Sequence, residues 1–89
     1  LNSHFLHIKE TESDEGRNVI TMRMAEEVTF LNKGAIKKEF DNVPPNSVVI
    51  IDKSGCVFMN HDVTEYLNEF METAPERNIT VEVIEPVAA

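Results

Sequence analysis

The stretch Val48-Val49-Ile50-Ile51 constrains this chain more than any other feature. An unbroken β-branched run favours extended backbone and disfavours helix. Pro44-Pro45-Asn46 precedes it and Lys53-Ser54-Gly55 follows it, and both segments are turn-forming. The run is far shorter than the ~20 apolar residues that cross a bilayer, so it reads as a strand. It does not alternate apolar with polar residues. Burial on both faces is therefore expected, as in the central strand of a parallel sheet with helices on each side.

The flanking sequence supplies the other elements. Residues 4–9 alternate, with Phe5, His7 and Lys9 opposite Leu6 and Ile8, which reads as a strand. Residues 10–16 are acidic, end in Gly16 and read as an exposed loop. Residues 18–25 alternate again, with Val19, Thr21 and Arg23 against Ile20, Met22 and Met24. Two strands joined by such a loop suggest an antiparallel pair. Residues 28–31 lead to a helix that Asn32 can cap. Ile36 and Phe40, with Ala35 beside them, form its apolar face, and Lys33, Lys37, Lys38 and Glu39 its wet side. Residues 56–59 read as a short apolar link.

The clearest helix begins at Asp62, with Val63, Tyr66, Leu67, Phe70, Met71 and Ala74 at helical spacing. Asp62, with Glu65 three residues later, resembles a capping box. Pro75 is expected to end the helix. Residues 79–84 form a last strand near an edge. The order strand, strand, helix, strand, helix, strand predicts an α/β fold. Its sheet is small and mixed, with an N-terminal antiparallel pair and parallel strands joined by helix crossovers.

The 89 residues suffice for one domain with one modest core. The single cysteine, Cys56, precludes an internal disulfide and fits a reducing compartment. A formal charge of −8 disfavours generic binding to nucleic acid or to an anionic membrane surface. Solubility is the plain reading of that charge, and a basic partner surface is the sharper alternative. The first residues lack the basic-then-apolar order of a signal peptide.

No catalytic chemistry stands out. His4 and His7 have odd spacing and fall on opposite faces of a regular strand, and His61 is remote. A zinc site needs three or four converging ligands. Neither Ser47 nor Ser54 sits in a Gly-x-Ser-x-Gly elbow, and Gly16, Gly34 and Gly55 are too isolated to form a phosphate loop. No catalytic residue, metal or cofactor is therefore expected. Helix N-termini remain as the generic site, at the carboxyl ends of strands. They bring in Asn32 and Lys33 at one helix and Asn60, His61 and Asp62 at the other. Lys33 adds positive charge and Asp62 subtracts it, so an anion should prefer the Lys33 end. His61 is expected to be exposed. Met22, Met24, Met59, Met71 and Phe58 are expected in or near the core.

Several segments together resemble a known family. Phe30-Leu31-Asn32-Lys33-Gly34-Ala35, then Pro44-Pro45-Asn46-Ser47, Val49-Ile50-Ile51-Asp52 and His61-Asp62-Val63 look like the STAS domain of SulP-family anion transporters. The resemblance covers residues 19–83, and the domain core is placed at about 19–84 within a single domain spanning 1–89. It implies a regulatory and interaction domain, excised from the C-terminus of a larger membrane transporter of sulphate or bicarbonate. That domain would lie at the cytoplasmic face of the inner membrane without inserting into the bilayer. The implied partners are the transporter's own membrane domain, a second copy or a cytoplasmic regulatory protein. The same fold serves bacterial anti-sigma-factor antagonists, the alternative reading. Those resemble the chain at Val57-Phe58-Met59, but where they begin a helix with Asp-Ser and phosphorylate the serine, this chain has Asn60 and His61.

Overall fold

A computed structural model of the chain describes residues 6–13 and 15–87. Strand β1 (Leu6–Glu12) pairs antiparallel with β2 (Asn18–Met24), Leu6 lying opposite Met24 and Glu12 opposite Asn18. The acidic loop is therefore shorter than its composition suggests. Glu10, Thr11 and Glu12 are exposed, so their backbone joins the ladder while the carboxylates stay hydrated. Ser13 closes the turn. Its N–H donates to the Arg17 carbonyl at 2.8 Å and its carbonyl accepts from Gly16 at 3.0 Å. Gly16 adopts φ 79°, which a residue without Cβ reaches at no steric cost. His4 lies outside the described residues.

Strand β4 (Val48–Asp52) runs parallel to β2, and β6 (Thr80–Ile84) runs parallel to β4, giving the order β1-β2-β4-β6. This is the expected mixed sheet of an α/β protein, with β6 at an edge. A second, two-stranded sheet pairs β3 (Glu27–Val28) with β5 (Phe58–Met59) in parallel. The apolar link of the sequence is thus partly a strand. Two residues are too few to show a period.

Helix α1 (Lys33–Asp41) follows a 3-10 turn over Phe30–Asn32, and α2 (His61–Thr73) runs into a 3-10 turn over Ala74–Arg77. The α-helix stops at Thr73, just before Pro75, as expected, and Pro75 sits in the first turn of the 3-10 segment that follows. A missing N–H is harmless there. The core joins Leu6 of β1, Ile20, Met22 and Met24 of β2, and Val49 and Ile51 of β4 with Ile36 and Phe40 of α1 and Val63, Leu67 and Phe70 of α2. Phe40 meets Phe70 edge to face at 4.9 Å between ring centres. Ala35, placed on the apolar face by its neighbours, is exposed.

The registers place all these strand residues on one face of the sheet. Both helices therefore cover the same face, contrary to the expectation of helices on each side. Val48 and Ile50, on the other face, are only half-buried. The cause is topological. Strands β2, β4 and β6 are laid down in one direction, and right-handed crossovers taken in one direction put every helix on one side. The outward positions of β4 are β-branched as well, which conceals the alternation.

The opposite end of the sheet from the helix starts is tied by Arg17. Its Nε donates to the Asn46 carbonyl at 3.2 Å, and its Nη2 donates to the carbonyls of Ser47 at 2.9 Å and Asn78 at 3.1 Å. Asn46 and Asn78 both hold left-handed conformations, φ 66° and 55°, which asparagine tolerates better than most side chains. The Asn78 amide donates to the Asn46 side-chain oxygen at 2.7 Å. Three charge-assisted bonds thus join the turn before β4 to the turn before β6. Arg17→Ala should lower the unfolding free energy by about 1–3 kcal/mol. Arg17→Lys should recover little of it, because an ammonium cannot reproduce the planar fork. Urea unfolding of the three proteins, with an unchanged slope, measures this.

Candidate functional site

The β3–β5 ladder governs the other end of the sheet. The N–H groups of Val57 and Phe58 both donate to the Glu26 carbonyl, at 2.7 and 3.0 Å, and that of Asn60 donates to the Val28 carbonyl at 2.8 Å. These bonds align the segment entering α1 with the segment entering α2. Lys33 and Asp62 consequently line one shallow groove of about 280 Å³, together with Lys37, Glu65, Tyr66 and Glu69.

Asn60, not Asp62, caps α2. Its side-chain oxygen accepts from the Asp62 N–H at 2.9 Å, and its own backbone is extended at φ −56°, ψ 141°. The bond from Asn60 to Val28 fixes that extended conformation. The Asp62-x-x-Glu65 spacing is therefore displaced by two residues from the true box position. Asp62 lies in the first turn, where its carboxylate still favours the positive helix end. Asn60 belongs to the strongest capping class, so the signal for it was present in the sequence. His61 is exposed as expected, with 83% of its side chain accessible, and its Nε2 lies 2.8 Å from Glu65 Oε1 one turn on.

Asn32 does not cap α1 with its side chain either. It is already helical, at φ −86° and ψ −11°, because the 3-10 turn begins before it. Its side-chain oxygen reaches back to accept from the Thr29 N–H at 2.8 Å.

Charge in the groove is mixed, with Lys33 and Lys37 facing Asp62, Glu65 and Glu69. The Lys33 end is therefore not a separate positive site, since Asp62 shares it. Lys37 pairs with Asp41 at 3.0 Å, and Tyr66 Oη donates to Asp41 Oδ1 at 2.7 Å. That phenol bond, then the bond from Lys37, holds the Asp41 carboxyl below its ordinary range. Burial, reinforced by the bond to Asp41, raises the Tyr66 phenol. The Cys56 thiol is raised by partial burial, so it holds little thiolate at neutral pH.

Around this end stand large exposed apolar side chains. Phe30 is 60% exposed, Leu31 87%, Val57 82% and Phe58 50%. Phe58 thus departs from its expected place in the core. In a two-residue strand one side chain faces out, and Met59 is the one packed against the core. Of the methionines, Met22 and Met24 are buried and Met59 and Met71 partly so. No known family model matches the sequence, and no curated protein matches it. Among the described residues, no helix is long and apolar enough to cross a membrane, and no three His, Cys, Asp or Glu side chains group to hold a metal ion.

Asn60→Ala should cost about 1 kcal/mol of stability and Asp62→Ala about 0.3–1 kcal/mol, reversing the order that the sequence pattern suggests. His61→Ala should change it by less than about 0.5 kcal/mol. Thermal melting of the purified variants tests the order. The lowered Asp41 carboxyl adds a pH term. Its stabilisation is fully present above the ordinary carboxylate value and is lost as pH falls through the lower folded value. Tyr66→Phe should diminish this acid-side dependence, measured as unfolding free energy against pH in the range of carboxylate titration.

Proposed function

We propose that the chain is a STAS-type regulatory and interaction domain of a SulP-type inorganic anion transporter. One observation carries this reading. The segments that bear the resemblance, Phe30 to Ala35 and His61-Asp62-Val63, meet at one end of a mixed sheet, beside exposed Phe30, Leu31, Val57 and Phe58. Large apolar side chains held in solvent mark an interaction surface more readily than a catalytic one. The topology also supports the reading, since an antiparallel first strand followed by two helix crossovers is the arrangement that the resemblance implies. In this proposal the domain performs no chemistry and binds no cofactor. It sits at the cytoplasmic face of the inner membrane and docks its apolar end on the membrane domain of its own transporter or on a cytoplasmic regulator. Exposed Glu26 and Glu27 flank this end and favour a partner surface that carries basic residues around an apolar centre.

Leu31 is the sharpest probe, because it is exposed and absent from the core. Leu31→Asp should leave the stability of the domain within about 0.5 kcal/mol of the parent. In the complete reading frame that encodes this chain, the same substitution should reduce uptake of sulphate or bicarbonate into membrane vesicles, or reduce assembly of the transporter. A reading frame without membrane-spanning segments would sink the proposal. So would normal transport and assembly with Leu31→Asp and Phe58→Asp combined.

A further inference from the structure

Strand β6 is an edge of the sheet, and no described strand pairs with its outer side. Two bonds fix which backbone groups look outward. The Thr80 N–H donates to the Ser47 carbonyl at 3.0 Å, and the Ile84 carbonyl accepts from the Lys53 N–H at 2.8 Å. Backbone groups alternate sides along a strand, so Thr80, Glu82 and Ile84 bond to β4. Val81 and Val83 therefore turn their N–H and C=O groups to the open edge. Their side chains turn to the helix face, where both pack against the core. Helix α2 and its 3-10 extension run beside this edge and leave a groove of about 410 Å³, with Met71, Pro75, Ile79 and Val81 in its lining. A smaller recess beside Leu67, Asn68 and Met71 continues it to Val83.

We infer that this edge and groove bind an extended segment of a partner protein, apolar at alternate positions with lysine or arginine between, which adds to β6 as an antiparallel fifth strand. Main-chain bonds supply affinity in this mode of recognition, and pockets for alternate side chains supply selectivity. The antiparallel direction is the more stable per residue. Incoming residues opposite Val81 and Val83 exchange both backbone bonds with them, and their side chains fall on the same side of the sheet. They enter the groove beside Met71 and Pro75, so they are apolar. The residues between them turn to the open face beside Glu82, so they are basic.

Charge complementarity selects this occupant. Glu72, Glu76 and Glu82 are exposed around the edge and belong to no ion pair among the described residues. The cations of the same region are already engaged. Arg77 donates to the Val43 carbonyl, and Lys53 lies 3.5 Å from Glu85. A net charge of −8 attracts a basic segment at long range as well. An open edge by itself is a hazard that proteins usually blunt with charge or proline. Here Glu82 bonds inward to β4 through its backbone and leaves the outward groups of its neighbours uncovered. Pro86 lacks the N–H that would extend the ladder, which limits the held segment to about five residues. The inference does not rest on the transporter reading.

The probe is a capped seven-residue peptide of alternating lysine and valine, fluorescently labelled and titrated with the chain by anisotropy. A dissociation constant of about 100 μM is expected for so short an extended ligand. Hydrogen exchange followed by NMR should slow at the Val81 and Val83 amides by at least about tenfold when the peptide is bound. Methylation of the peptide's valine nitrogens removes the donors that face β6 and should abolish binding, whereas methylation of its lysine nitrogens should not. A peptide with serine in place of each valine has the same charge and should not bind. Glu82→Lys should raise the dissociation constant at least about tenfold. Glu82 is exposed, and an unchanged melting curve will show that this variant folds. No binding of the parent peptide at about 1 mM overturns the inference. So do equal binding of the two methylated peptides or the reverse order, equal binding of the serine peptide, indifference to Glu82→Lys, or protection confined to amides outside β6. A normal or impaired transporter with Leu31→Asp leaves each of these measurements unaffected, so the two proposals fail separately.

Discussion

Two right-handed crossovers taken in the same direction are the constraint on which the rest of this structure depends. The strand order β1-β2-β4-β6 leaves the chain no route for α1 and α2 except over one face. Burial is therefore one-sided. Ile20, Met22, Val49 and Ile51 form the floor on which Ile36, Phe40, Val63 and Leu67 pack. A domain of this size has one core to build, and a single two-layer arrangement concentrates the available apolar side chains in it. The consequence is a second face whose composition must suit water, a partner or both. Its mixture of half-buried valine and isoleucine with segregated charges is a compromise between those two demands.

Much of this was legible in the sequence. Two-residue alternation located β2 and β6, helical spacing located α2, and the asparagine- and proline-rich turn located the start of β4. The failures have separate physical causes. Val48 and Ile50 read as buried because β-branched residues are favoured in a strand by backbone conformation as well as by burial, and the sequence does not separate these contributions. Residues 10–12 read as loop because exposed acidic residues look alike whether or not their backbone is paired. Local spacing points to Asp62 as the cap of α2 because it carries no trace of the Asn60 to Val28 bond, a contact between residues 32 apart in sequence.

The candidate site shows the same division. Its location at the helix starts was evident, since Asn32 and Asn60 to Asp62 are of the right types. Its character was not. The β3–β5 ladder is too short to leave a periodic signature, yet it aligns the two helix entrances and carries Phe58 facing outward. The motif Phe30-Leu31 was visible as a motif, but nothing in its spacing distinguishes an exposed pair from a buried one. The mixed charge of the groove likewise follows from the approach of α1 to α2, which places Asp62 beside Lys33.

The two ends of the sheet divide stability from accessibility. At the end where β4 and β6 begin, Arg17 bonds three backbone carbonyls drawn from two turns, and Asn46 and Asn78 hold conformations that few other side chains would accept. Opening that end would break several bonds together, so it should be among the last regions to yield in local unfolding. The other end is held by a two-residue ladder and three backbone bonds around Glu26 and Val28. It also carries large apolar side chains in solvent. Val28 of that ladder is fully buried and Met59 packs against the core, so the ladder is anchored to the core while Phe30, Leu31, Val57 and Phe58 stay largely outside it. Strands β2 and β4 both place alternate residues in the core and on the open face. In β4, Val49 and Ile51 pack with the helices in the core while Val48, Ile50 and Asp52 look outward, so the one strand serves both faces of the sheet.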